Sequence, residues 1–179
     1  MTSHLEHKLI KRLKSGNLEA LEQVYRKYGE KILNQSYRIL LNREAAEDAV
    51  HDIFVDLSHR LRNFRGGSSL GTWLYRVAHN HCLERLRQER NRNKILRENI
   101  YSFKPADKPG VEDKDTLQKA LETLEPETRS LLWLKEGEGM EIKELSQIMD
   151  APEGTLKARL FRGREKLRRW LQKEADYAT

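Results

Sequence analysis

Apolar residues recur every three or four positions along almost the whole chain, and runs of β-branched residues are few. That period belongs to amphipathic helices rather than strands. From Leu5 to Arg90 such segments follow one another, with spacings such as Leu18, Leu21, Tyr25 and Tyr28, and predict a helical bundle. The stretch RNFRGGSSLGT, Arg62 to Thr72, interrupts it: paired Gly and Ser break a helix, and Ser69 or Thr72 can cap the next one. From Asn91 to Asp113 the period fades, charges mix, and two of the four prolines appear. This reads as a linker with a helical extension at its start. Periodicity returns at Lys114. The expected fold is all-α: two small helical domains, residues 5–92 and 114–175, joined by a flexible linker over residues 93–113.

The second domain has its own pattern. Leu117, Ala120, Leu121 and Leu124 make a short helix, and Pro126 sits where another begins, carrying Leu131, Leu132 and Leu134. A third places Ile142, Leu145, Ile148 and Met149 on one face, then the turn Asp150–Glu153 leads into a basic helix. A short helix, a tight turn and a second helix with a polar outer face form a helix-turn-helix candidate.

Charge is distributed unevenly. Lys and Arg number 34 against 28 Asp and Glu, a surplus that alone says little. Between Thr155 and Lys173, however, eight basic residues face one acid, whereas between Thr116 and Gly154 four face nine. An acidic body therefore carries one basic helix, which points to a polyanionic partner. The single cysteine, Cys82, excludes a disulfide framework within the chain and suits a reducing compartment. No apolar run approaches the roughly 20 residues of a membrane span, and the N-terminus lacks the apolar core of a signal peptide. A cytoplasmic protein without membrane insertion is expected.

At about 100° per residue, Leu156, Leu160, Gly163, Leu167 and Leu171 of the basic helix share a core-facing stripe. Lys157, Ala158, Phe161 and Arg162 fall on the far side, where a large aromatic is unexpected unless something outside the chain covers it. In a helix-turn-helix these four would face base edges: Lys or Arg donates to guanine acceptors, and Phe161 can lie against a thymine methyl. Arg164, Lys166, Arg168 and Arg169 are better placed for phosphates. The alternative is a solvated basic face with Phe161 packed on a neighbouring loop.

In the N-terminal half, the helix REAAEDAVHDIFVDLSHRL buries Ala49, Ile53, Leu57 and Leu61 at i, i+4 spacing, widened by Val50 and Phe54. Asp48, Asp52 and Asp56 form a parallel acidic stripe. Like charges at that spacing cost an isolated helix a few tenths of a kcal/mol per pair, which a basic partner would relieve; a solvated face is the alternative. The following block brings Phe64, Trp73, Tyr75 and several arginines together. Aromatics interleaved with Arg suit unpaired bases, although an aromatic core with snorkelling arginines gives the same letters. The run His79, Asn80, His81 spells a nuclease motif, but that motif's residues are scattered through a ββα fold and no strands are apparent here.

Three blocks in order, AEDAVHDIFVDL, FRGGSSLGTWLYRVAHN and the stretch from LEPETRSLLWLKEGEGM to GTLKARLFRGREKLRRWL, resemble an extracytoplasmic-function sigma factor of bacteria. The resemblance covers nearly the whole chain. It implies sigma-two and sigma-four domains that bind core RNA polymerase, through the clamp helices of its largest subunit and its beta subunit, and direct it to promoter DNA. It assigns polymerase docking to the helix with Asp48, Asp52, Phe54 and Asp56. It assigns opening of the minus-ten element and capture of a flipped non-template base to the block with Phe64, Arg65, Trp73, Arg76 and Asn80. It assigns the minus-thirty-five element to Thr155, Lys157, Ala158, Phe161 and Arg162, and the linker to a path towards the RNA exit. A cognate anti-sigma factor is a further implied partner. Two positions depart from the family's habit: His51 replaces a frequent Gln or Glu, and Ala158 a common Ser, which removes a hydroxyl from the reading face. The chain ends at Thr179, without room for the extra C-terminal domain of larger members.

A promoter-specificity subunit, which needs no cofactor and has no catalytic residues, accounts for all of these features. A free-standing helix-turn-helix regulator uses only the C-terminal helix. A nucleic-acid enzyme would need metal ligands among the six histidines, all before position 82, whose spacing fits no metal motif.

Overall fold

The computed structural model describes residues 4–99 and 116–177, and among these every regular element is helical. Most of the expected linker therefore lies outside the described residues. The N-terminal half comprises α1 (His4–Lys14), α2 (Leu18–Leu40), α3 (Arg43–Val55), the single turn α4 (Leu57–Arg60) with a 3-10 turn at Leu61–Asn63, and α5 (Leu70–Asn99). The C-terminal half comprises α6 (Thr116–Glu122), α7 (Pro126–Leu132) with a π turn at Trp133–Gly137, α8 (Ile142–Met149) and α9 (Glu153–Tyr177).

Local chemistry sets the boundaries. Asn17 and Asn42 cap α2 and α3, their side chains accepting from the amides of Ala20 at 2.9 Å and Ala45 at 2.8 Å. Glu141 and Glu144 form a reciprocal capping box on α8. Asp150, at φ 50°, ends α8 in the left-handed region, and Ser146 Oγ donates to the Ala151 carbonyl at 2.6 Å. The tight turn of the helix-turn-helix is built from these contacts.

Of the two apolar patterns on α2, the wider one in the sequence is not the core. Ala20, Val24, Ile32 and Ile39 are buried, whereas Leu18 and Tyr25 are exposed. The buried row contains small and polar members, Gly29, Gln35 and Ser36, so apolar counting favours the other face. The α3 stripe behaves as its spacing predicts: Ala49, Ile53, Leu57, Leu61, Val50 and Phe54 are all buried. It is not one helix, however, because the backbone turns at Asp56. On α9, Leu156 and Leu160 are buried and the stripe fades to a half-exposed Leu171. Gly163 lies where a Cβ would come within 2.7 Å of Thr128 Cγ2; only glycine allows α9 to approach α7 so closely.

The two halves pack directly on each other. Arg129 of α7 is buried and donates to the carbonyls of Arg38 (2.8 Å) and Ile39 (2.7 Å) at the end of α2, and of Leu121 (3.5 Å) and Leu124 (2.7 Å) in its own half. Those carbonyls have no partner within their helix, so one guanidinium satisfies two helix ends. Buried Gln35 donates to the Tyr75 carbonyl and lies 3.5 Å from Ser130 Oγ. Glu138 accepts from Lys31 Nζ at 2.8 Å and from Tyr75 Oη at 3.0 Å. Cys82, in a small buried cluster with Ile39 and Ala49, has its thiol pushed up to about 11 by burial.

Candidate nucleic-acid interface

The reading face of α9 stands as the helical wheel places it. Thr155, Lys157, Ala158, Phe161 and Arg162 are exposed, Phe161 to 67%, directly after the Asp150–Pro152 turn. An aromatic at that exposure leaves most of its apolar area in water, at about 25 cal/mol per Å², so a ligand that covers it gains. The phosphate candidates behave differently. Arg164 donates to Glu136 Oε1, with Nε at 3.1 Å, Lys166 Nζ to the Thr123 carbonyl, and Arg168 to Glu165. Arg169 is exposed. The basic helix therefore spends part of its charge on the acidic body beneath it, and the reading face is its freest part.

In the N-terminal half, Phe64 is buried and meets Trp73 edge-on, ring centroids 5.4 Å apart. Phe64 thus supports Trp73 rather than presenting its own face. Arg65, Arg76 and Asn80 are exposed and Trp73 is half-buried. Ser69 caps α5, its hydroxyl accepting from the Thr72 amide at 3.0 Å. A cleft of about 620 Å³ runs between this loop and the end of α8, lined by Phe64, Arg65, Trp73 and Arg76 on one side and Ser146, Gln147 and Asp150 on the other. Across it, Arg76 and Asp150 approach to 3.9 Å.

The acidic stripe of α3 finds a basic partner inside the chain. Arg85 of α5 lies 3.5 Å from Asp48 and 4.0 Å from Asp52, His81 lies 3.6 Å from Asp52, and Arg60 pairs with Asp56 at 3.3 Å. The expectation that relief must come from outside is corrected: α5 already supplies it, because its Arg and His lie alongside α3. Phe54 is likewise buried, edge-on to Tyr25 with centroids 5.0 Å apart.

One surface is absent from the sequence reading. A groove of about 810 Å³ between α2 and α3 is lined by Leu18, Leu21, Tyr25, Leu33, Val50, His51, Phe54 and Val55. Leu18 and Val55 are 77% and 68% exposed. The Leu18, Leu21, Tyr25 spacing was its signal, read as core.

His79 and His81 serve different neighbours. His79 Nδ1 lies 3.2 Å from Ser130 Oγ between the two halves, and burial pushes its imidazole down to about 4; Glu127 opposes that shift, while Arg159 and Arg87 add to it. The unfolded chain therefore binds this proton below pH 6.5 while the folded one does not, so stability is complete above pH 6.5 and falls as pH drops towards 4, by up to about 3 kcal/mol. The expected result is that His79→Gln flattens this part of the denaturation-midpoint profile between pH 7 and 4.5. An identical drop in both proteins would assign it to other groups. Among the described residues, no three or more His, Cys, Asp or Glu are grouped to hold a metal ion, and no helix is long and apolar enough to cross a membrane.

Comparison with known proteins places these surfaces in a family. Sigma-70 region 2 matches residues 24–92, and Sigma-70 region 4 matches residues 114–167. The chain is 30% identical to the ECF RNA polymerase sigma factor SigW of Bacillus subtilis over 92% of its own length and 96% of SigW's. It is 28% identical to the RNA polymerase sigma-H factor of Pseudomonas aeruginosa over 96% of both chains. The fold is shared with CnrH, solved with the cytosolic domain of CnrY (TM-score 0.69, 21% identity, 94% of this chain and 97% of that one). It is also shared with the sigma factor RpoE, solved with the anti-sigma factor NepR from Bartonella quintana (TM-score 0.68, 23% identity, 84% and 96%). With both conserved regions in order and a relative matched end to end, the chain belongs to the extracytoplasmic-function sigma factors, the non-enzymatic subunits that direct bacterial RNA polymerase to promoters.

Proposed function

We propose a division of labour between the two halves. The α9 face of Thr155, Lys157, Ala158, Phe161 and Arg162 reads the minus-thirty-five element in the major groove. The surface with Arg65, Trp73, Arg76 and Asn80, braced by Phe64, takes the unpaired minus-ten strand. The observation that carries the reading is Phe161, held in solvent among cations at the start of a helix that follows a tight turn. Arg169 adds phosphate contact, joined by Arg164, Lys166 and Arg168 when they leave their internal partners.

Polymerase docks on α3 and the groove beside it. On the α3 wheel His51 and Val55 adjoin Asp48 and Asp52, so an apolar trough runs next to an acidic ridge. That pairing suits a helical partner with an apolar stripe and a basic flank, as the clamp helices of the largest subunit would offer; the beta subunit is assigned to the C-terminal half. Leu18→Glu and Val55→Glu change exposed side chains, so the fold should persist while affinity for core polymerase drops at least tenfold. Unchanged association in titrations with labelled protein would remove the docking assignment.

The arrangement of the two halves bears on regulation. Elements near minus ten and minus thirty-five lie roughly 25 base pairs apart, about 85 Å at 3.4 Å per step, yet Asp150, at the start of the reading turn, sits beside Arg76. The two reading surfaces cannot reach both elements while packed together, so promoter engagement requires the halves to separate. The solved relatives with anti-sigma partners support a cognate anti-sigma factor that acts on this equilibrium. Function with polymerase places the protein in the cytoplasm.

A further inference from the structure

The loop between Phe64 and Leu70 is anchored at both ends by one helix. At its start, Lys14 Nζ of α1 donates to the Phe64 carbonyl at 3.1 Å. At its end, the carboxylate of Glu6, also on α1, accepts from the Leu70 amide at the first position of α5. These side chains are eight residues apart, about 12 Å along the helix axis, so α1 spans the loop as a strut. The loop's other side-chain hydrogen bonds are local, from Ser68 to Ser69 and between Ser69 and Thr72. It contains Gly66 at φ 77°, followed by Gly67, with open space around both. Such a segment has many conformations to lose on binding. The α1 anchors remove much of that freedom before a ligand arrives.

We propose that Glu6 and Lys14 are positioning residues for strand capture: α1 holds the loop so that Arg65 and the Phe64-supported Trp73 meet the unpaired strand already arranged. The inference rests on the minus-ten reading of this surface. Neither residue need touch DNA. Glu6 is an acid, which a phosphate backbone repels, and the Lys14 ammonium is directed to a backbone carbonyl. A preorganised loop binds more tightly than one ordered by its ligand.

The experiment uses the full chain assembled with core polymerase. Its probe is a fluorescent single-stranded oligonucleotide carrying the non-template minus-ten sequence of a promoter that this holoenzyme transcribes. Glu6→Ala and Lys14→Met should each weaken its binding by roughly tenfold, the order expected for a lost preorganisation. Glu6→Gln keeps an acceptor and Lys14→Arg a donor, so both should bind near the native level. Duplex minus-thirty-five affinity and polymerase association should not change. The salt dependence of oligonucleotide binding should also keep its slope, whereas a phosphate contact by Lys14 would reduce it by about one. Native affinity in Glu6→Ala and Lys14→Met, a reduced salt slope, or equal losses with duplex DNA would each overturn the proposal. Arg76→Ala separates the two levels of the account. If it weakens capture while the α1 variants do not, the strut fails; if it too leaves capture unchanged, the minus-ten reading itself fails.

Discussion

Arg129→Met should lower the melting temperature and loosen the packing between the two halves of the free protein. Methionine reproduces the apolar stem of arginine but donates no hydrogen bond, and four carbonyls lose their partner at once. Hydrogen bonds to a charged group contribute about 1.5–3 kcal/mol each, and members of one network do not add. A total near 3 kcal/mol, or roughly 6–12 °C in a chain of this size, is the expected loss. Two of the bonds tie α7 to the end of α2, so X-ray scattering should also show a larger radius of gyration. Opening should in turn raise the affinity of the chain alone for minus-thirty-five duplex, because α9 then leaves its position beside the aromatic loop. Unchanged melting and scattering would mean that apolar contact alone holds the halves together.

The second large effect concerns promoter choice. Replacing Arg162 by Ala should cost about 1–3 kcal/mol of discrimination at one or two upstream base pairs, measured as holoenzyme affinity across a panel of single-base promoter variants. Arg169→Ala should instead weaken every sequence alike and reduce the salt slope by about one. The contrast follows from position: Arg162 shares the exposed early face with Phe161, whereas Arg169 lies two turns further along α9. If Arg162→Ala weakened all promoters equally, Arg162 would contact phosphate, and the readout would rest on Lys157 and Phe161.

Much of this architecture was legible in the chain because helical period and capping chemistry are local. The α9 stripe, the buried α3 stripe, the Asp150 turn and the exposure of Phe161 all follow from residue spacing and turn chemistry. What escaped depends on partners far away in sequence. The α2 core was hidden because Gly29, Gln35 and Ser36 fill its buried row while Leu18 and Tyr25 stand on a groove. An apolar count cannot distinguish a face that packs in the chain from one kept for a partner. Nor does charge spacing reveal that Arg85 answers Asp48 and Asp52 from another helix. Arg129 looked like one more surface cation, and only the third dimension places four carbonyls around it. The packing of the two halves belongs to the same class, since its polar contacts join residues 40 to 107 positions apart.

The central claim is that this chain selects promoters for polymerase, and run-off transcription tests it most directly. Core polymerase of the source bacterium would be supplied with genomic fragments, with and without the protein. The account predicts new start sites that appear only with the protein, share an upstream two-part motif, and weaken in parallel with Phe161→Ala and Arg162→Ala. Sequence-specific duplex binding by the protein alone, with no protein-dependent start sites, would contradict it.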